Sequence, residues 1–224
     1  MTDEVRNIVL ILAEIIISYI TLTVLYKKYR TDGVYVYAII ATFIACIMSL
    51  KKISIMSISV PIGFGVTTSI IIAGNLITQK RGTEEMKTFL SLILVTALVS
   101  CCFLNLSGLM ESSEYNIYAN KSYDSIFTYN LRIYIALIVS VMASSFISSK
   151  LYYMLKVLKN NILLSNIFSI IIIELIENIS FVLIAYLFDY KMIDMILCLI
   201  FRYMIKTIIG LFGTIPLYIA SKTN

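Results

Sequence analysis

The chain contains no histidine, and charged residues make up only 14% of its 224 positions. The first absence removes the commonest general base and transition-metal ligand. The second, with no long polar tract, excludes an ordinary soluble surface. Sixty per cent of residues are hydrophobic and the mean hydropathy is +0.94, as in a chain that lives in lipid. Cys46, Cys101, Cys102 and Cys198 lie in or at the ends of apolar runs without ligand-like spacing, and read as packing residues rather than a metal or disulfide site. No Gly-x-Ser-x-Gly elbow, Asp-rich metal motif, Walker loop or haem pattern occurs, and a cysteine protease would need a base beside its thiol. Neither catalysis, a cofactor nor a metal is therefore expected. The net charge of +5 is no nucleic-acid signal, because the basic residues form short clusters between apolar segments. The absence of internal repeats gives an inverted-repeat architecture no support.

What the chain does have is apolar runs. A crossing helix needs about 20 such residues, and the candidates are 7–26, 34–50, 53–78, 87–106, 132–157, 161–187 and 192–219. The run 7–26 follows Asp3 and Glu4 and precedes a basic cluster where a cleavage site would be needed, so it reads as a retained helix rather than a signal peptide. The second candidate is short, the third long, and Lys51 and Lys52 stand between them. The expectation is an all-α, polytopic transmembrane bundle of six to seven spans forming one domain, with a re-entrant segment as the alternative to a seventh crossing. With seven, Lys27, Lys28, Arg30, Lys80, Arg81, Lys87, Lys150, Lys156, Lys159 and Lys222 share one side. Arg6, Lys51, Lys52, Lys121, Arg132 and Lys191 share the other. The richer side should be cytoplasmic, which places the C-terminus inside. The one sizeable connection, 106–130, is polar and tyrosine-rich with Glu111, Glu114 and Asp124, and is either a solvated connector or a cap over an external entrance.

Inside this apolar background stand a few ionisable residues. Glu174 and Glu177 are three apart in the sixth run, with Asn178 beside them; Arg202 and Lys206 are four apart in the seventh. Each pair spans one helical turn and shares a face. An ionised side chain at mid-bilayer costs about 2.5–3.5 kcal/mol on insertion scales, so such groups face a bundle interior or a cavity. Opposite charges on consecutive helices should meet, because either pair alone in lipid would be costly. They make either a structural pin between helices or a ligand pocket, in which case they should converge on a shared, wettable chamber. Glu14, lacking a local partner, reads as a partly buried interface group. Asn75 and Gln79 end the third run one turn apart, and two stacked amides either read a planar hydrogen-bonding ligand or satisfy helix ends. Ser140, Ser144 and Ser148 recur every four residues with Ala136, a stripe that lets helices approach closely or offers hydroxyls to a substrate.

In this order, these positions resemble the VUT/YhhQ family of queuosine precursor transporters. Ile77-Thr78-Gln79-Lys80-Arg81-Gly82-Thr83-Glu84-Glu85 is similar to the family's Asp-x-x-x-Glu-Lys-Tyr-Gly-Lys-Lys-Glu segment, with Asn75 for the aspartate and Gln79 for the glutamate. Arg132-Ile133 and Ala136 match the opening of a family helix that continues to Ser-Gln-x-x-Asp. This chain has Ser144 there, Ser145 for the glutamine and Ser148 for the aspartate. Ile173-Glu174-Leu175-Ile176-Glu177-Asn178 takes the place of Ser-Gln-x-x-Asp-Ser/Thr, and Phe181 with Ile184-Ala185-Tyr186 fits the family's Phe and Ile-Ala-Phe. Lys206 and the stretch from Thr214 to Pro216 resemble the family's last helix.

The resemblance implies an inner-membrane carrier importing a 7-deazapurine such as queuine or a preQ-type base, in a family-like core over 34–219 preceded by 7–26 as an extra helix. It places the pocket among Asn75, Gln79, Ser145, Ser148, Glu174, Glu177, Asn178, Arg202 and Lys206. The acids would bind the base's donors, the amides would bond in its plane, and the bases would balance charge. The partners implied are a small-molecule substrate and the bilayer, with no nucleic acid. A substrate-binding component of an energy-coupling-factor assembly, docking coupling subunits on the Ser140/Ser144/Ser148 stripe, and a non-transporting membrane scaffold are the alternatives.

Overall fold

The computed structural model describes residues 3–55, 58–111, 117–127 and 131–222. The opening apolar run builds α1 (Asp3–Met48), but not as one rod. At Arg30 the backbone leaves helical geometry, with φ 56° and ψ −138°, and the chain doubles back. Gly33 comes so close to the first limb that an added Cβ would collide with the Leu25 carbonyl. Eight residues of straight helix would separate those positions by about 12 Å. The first two expected spans are therefore the two limbs of a helical hairpin joined without a loop.

The third expected span, 53–78, is corrected. Its first part is a small antiparallel hairpin, β1 (Lys52–Ile55) and β2 (Ile58–Pro61), with Lys52 opposite Pro61 and Ile55 opposite Ile58. Ile53-Ser54-Ile55 and Ile58-Ser59-Val60 alternate with period two and are β-branched, a strand pattern that overall hydrophobicity hides. Pro61 ends the ladder, and Gly63 at φ 94° turns the chain into α2 (Phe64–Arg81). Those 18 residues rise about 27 Å, close to the thickness of a hydrocarbon core. Every residue from Phe64 to Thr78 is buried. A helix wrapped by protein on all sides needs no lipid-facing belt, which is why this one tolerates Thr67, Thr68, Ser69 and Asn75.

Around it stand α3 (Met86–Leu109), α5 (Leu131–Lys159), α6 (Ile162–Tyr186) and α7 (Met192–Phe212), which continues past a break at Gly213 into α8 (Thr214–Lys222). Five helical stretches are long and apolar enough to cross a membrane: Glu4–Met48, Met86–Leu109, Leu131–Lys159, Ile162–Tyr186 and Met192–Lys222. With α1 counted as two limbs and α2 as the enclosed crossing, the fold is an all-α bundle of seven crossings. Contacts at its two ends agree with that alternation. At one, here the hairpin end, Asn7 donates to the Ser54 carbonyl, Lys52 donates to the Tyr190 hydroxyl, and Arg132 pairs with Asp189 at 2.9 Å. At the other, the reversal end, Tyr35 donates to Glu85 and Arg81 donates to the Thr31 hydroxyl. The connection 106–130 holds α4 (Ile117–Phe127), which packs on α3, its Tyr123 hydroxyl 2.8 Å from that of Ser107. Glu114 lies outside the described residues.

The close approach at the reversal makes Gly33→Ala costly. Overpacking of this kind destabilises by about 1–3 kcal/mol or more, which should appear as a lowered thermal midpoint in detergent. An unchanged midpoint would mean that the two limbs do not lie together.

Candidate functional site

Helix α6 starts cleanly because the Asn161 side chain accepts the Leu164 amide at 3.2 Å. From there its regular turn carries Glu174 and Glu177 onto the face that meets α7, where Arg202 and Lys206 project back. The ammonium of Lys206 lies 3.2 Å from Glu174 Oε2 and 2.7 Å from Glu177 Oε2. Arg202 divides its guanidinium: Nε donates to Asn178 Oδ1 at 2.9 Å, and Nη2 reaches Glu177 Oε2 at 3.5 Å. Its plane lies 4.1 Å from the Phe181 ring centroid and 5.8 Å from that of Phe64, so two aromatic faces also receive the charge. Helix α2 completes the group, with Thr68 donating to Glu174 Oε1 at 2.8 Å. Asn178 is fixed by donating its amide to the Glu174 carbonyl at 2.6 Å.

The quartet is charge-balanced and closed. Glu174, Glu177, Asn178 and Lys206 have no exposed surface, and Arg202 keeps 4%. The acids and bases converge as expected, but on a sealed cluster rather than on a wettable chamber. The grooves of about 370 and 300 Å³ lie between α1 and α7–α8, and their walls are almost wholly apolar; neither includes a quartet residue. The reason is electrostatic, since each acid has a cation within ion-pair reach and water is not needed to solvate it. Glu174 Oε2 and Lys206 Nζ meet in an ion pair without a hydrogen bond of standard geometry, whereas Glu177 Oε1 is buried with neither a hydrogen bond nor an ion pair among the described residues.

The other expected site residues form a second layer. Asn75 Oδ1 accepts from Ser148 at 2.9 Å; Gln79 accepts from the Tyr152 hydroxyl at 2.9 Å and donates to the Leu217 carbonyl at 3.2 Å. The seven residues from Thr68 to Asn75 place this layer about 10 Å further along α2. The structure thus separates the amides from the quartet rather than gathering all nine residues in one pocket. Ser145 is buried, its hydroxyl without a partner among the described residues, as is Asn75 Nδ2. Ser140, Ser144 and Ser148 are wholly enclosed, and α5 and α6 make the most extensive helix contact in the molecule. The stripe therefore presents no exposed face, and its Ser148 turns to α2.

Sequence reasoning missed Thr68, Tyr152, Phe64 and Asn166 as contributors, and gave Phe181 no part in holding Arg202. Asn166 donates to the Gly210 carbonyl at 3.2 Å and to Thr214 Oγ1 at 2.8 Å, bracing the break before α8. Its spacing of two turns before Glu174 was a readable signal. Glu14 does face an interface: its carboxylate accepts the Val66 amide at 3.1 Å, at the N-terminus of α2.

Removing the shared cation should cost more than removing cation and acid together. Breaking a buried pair on one side costs about 3–5 kcal/mol, whereas neutral replacement of both partners is far milder. Lys206→Met should therefore lower the detergent unfolding midpoint sharply, and adding Glu174→Gln, which leaves Glu177 paired with Arg202, should recover much of the loss. If the two variants are equally unstable, the ion pair is not what the cation is there for.

No curated protein and no solved structure matches the chain. A family model does, over residues 61–220, well over half of the chain. The matched stretch begins at Pro61 and takes in α2, both polar layers and nearly all of α8, leaving α1 and β1 before it. By that match the chain belongs to the family described as putative vitamin uptake transporter.

Proposed function

We propose that this member of the family is a carrier importing a queuosine precursor, a 7-deazapurine such as queuine or a preQ-type base, across the inner membrane. The basic-rich reversal end would be cytoplasmic and the C-terminus inside. The observation that carries the reading is the buried, unpartnered Glu177 Oε1 beside two cations. A guanine-like base presents adjacent N–H donors along one edge. A carboxylate is the acceptor that meets both at once, since it offers two oxygens and no hydrogen.

In the closed conformation Lys206 holds both acids. A bound base would take Glu177 from it, leaving Lys206 on Glu174 and Arg202 stacked on Phe181. The pairs would exchange rather than break, so no carboxylate is left bare at any step. Movement between α6 and α7 is what such an exchange requires, and a charge set with two near-equivalent pairings suits a two-state carrier. Asn75 and Gln79, one layer towards the reversal end, would bond the base's plane as it passes inward.

The test is precursor salvage in a cell unable to make queuosine itself. Glu177→Gln keeps the shape but gives up a charge-assisted acceptor worth about 1.5–3 kcal/mol, so uptake affinity should fall roughly ten- to a hundredfold. Glu177→Ala and Lys206→Ala should each abolish salvage. If both leave it unchanged, the pocket assignment is wrong. If purified protein binds no deazapurine calorimetrically and an exchange of charges between positions 177 and 206 keeps full function, the quartet is a structural pin.

A further inference from the structure

Glu14 stands apart from everything the carrier reading uses. It lies on the first limb of α1, before the stretch the family model matches. Its carboxylate accepts the Val66 amide at 3.1 Å and is near enough to Gly65 that an added Cβ there would sit 3.2 Å from its Oε1. The free amides at the start of a helix amount to about half a positive charge. One full negative charge is thus set against roughly half a positive one. The cation whose field reaches Glu14 is Lys206, and Lys206 is already held by Glu174 and Glu177 at 3.2 and 2.7 Å. The quartet is balanced by itself, two acids against two bases, and the half-buried Glu14 stands outside that balance.

The same side chain sits where two crevices meet. One, about 130 Å³, opens at the hairpin end and is lined by Asn7, Glu14, Lys51 and Ile62. The other, about 210 Å³, runs between the limbs of α1 towards the reversal end, past Glu14, Ser18, Thr21, Leu25 and Tyr37. Glu14, Ser18, Thr21 and Leu25 recur at helical spacing and share one face. Tyr37 on the opposing limb holds its hydroxyl 2.5 Å from that of Ser69 on α2. The wall of the longer crevice is otherwise apolar, but a titratable group that lines both crevices, with hydroxyls along one of them, has the placement of a proton carrier rather than of a structural anchor.

We propose that Glu14 is a proton-binding site, distinct from the quartet, through which the protein couples its movement to a proton gradient. The carboxylate takes a proton at the hairpin end to become a carboxylic acid and returns it towards the reversal end, with no other reactant. The groups facing it are the amides of Gly63, Gly65 and Val66 on α2, Tyr37 on the second limb, Lys51 beyond it and Lys206 on α7. Loading the proton removes the charge that grips the start of α2. Val66 is two residues from Thr68, whose hydroxyl holds Glu174, so a rigid helix links the proton site to the quartet. Whether the moved solute is a deazapurine belongs to the preceding reading; the proton site does not depend on it.

Infrared difference spectroscopy of the purified full chain in lipid, titrated with acid, reads the site without any solute. Among the carboxyl stretches that acid brings up, wild type should show one component that Glu14→Gln lacks and Glu14→Asp shifts, all three keeping the same backbone amide bands. An identical titrating band in Glu14→Gln overturns the proposal. In proteoliposomes loaded with preQ-type base, wild type and Glu14→Gln should exchange labelled base equally well at uniform pH. An imposed pH gradient should drive accumulation in wild type alone, with the Gln variant settling at equal concentrations inside and out. Gradient-driven accumulation that survives the substitution overturns the coupling. Absence of exchange in both proteins would count against the substrate assignment, while the infrared result still decides on Glu14.

Discussion

One ammonium group organises this bundle. Lys206 reaches two carboxylates on the neighbouring helix, and in a medium of low dielectric that contact fixes how α6 and α7 lie. Without it, two acids a single turn apart would repel each other in the one place where water cannot help. With it, their charges become a tie that orients Asn178, which in turn orients Arg202. The side chains around the ion pairs are consequences of its presence: Thr68 supplies the acceptor-facing hydroxyl that an ammonium shared between two acids does not, and Phe181 covers the face of the guanidinium.

The second constraint is enclosure. A helix as polar as α2 is possible only because its neighbours, α1, α5 and α7 above all, enclose it. In exchange it brings threonine, serine, asparagine and glutamine side chains to the bundle axis, where they contact each helix in turn. Thr68 goes to α6, Asn75 to α5, and Gln79 to α5 and α8. Two polar layers about 10 Å apart along one rod give the molecule a polar axis inside an apolar shell. Family membership as an uptake transporter fits that arrangement, since a solute must find hydrogen-bonding groups at more than one depth.

Much of this was legible from residues alone. Hydropathy and length located the crossings, and the turn-length spacing of 174 with 177 and of 202 with 206 required facing helices, because isolated charge in lipid is so unfavourable. Two things were hidden. The alternation around Ile53 and Val60 is a strand signal four residues long, and beside a long apolar run it reads as more of the same helix. The reversal at Arg30 is marked by the turn dipeptide Asp32-Gly33, but nothing in the sequence says that the two limbs join without a loop. Nor could periodicity say that Asn75 and Gln79 lie a layer away from the acids, since it fixes faces within a helix and not heights between helices. Thr68 escaped notice because a threonine in an apolar run is ordinary; only its partner makes it part of the site.

The closed quartet also says something about the chain's history under selection. Buried ion pairs are seldom more stable than apolar side chains of the same volume, and replacing all members together is often neutral or favourable. Four such groups at the centre of a bilayer protein are therefore a standing burden on foldedness. A laboratory lineage screened for heat resistance alone should drift towards methionine and leucine at 174, 177, 202 and 206, arriving at a sturdier bundle without charge at its centre.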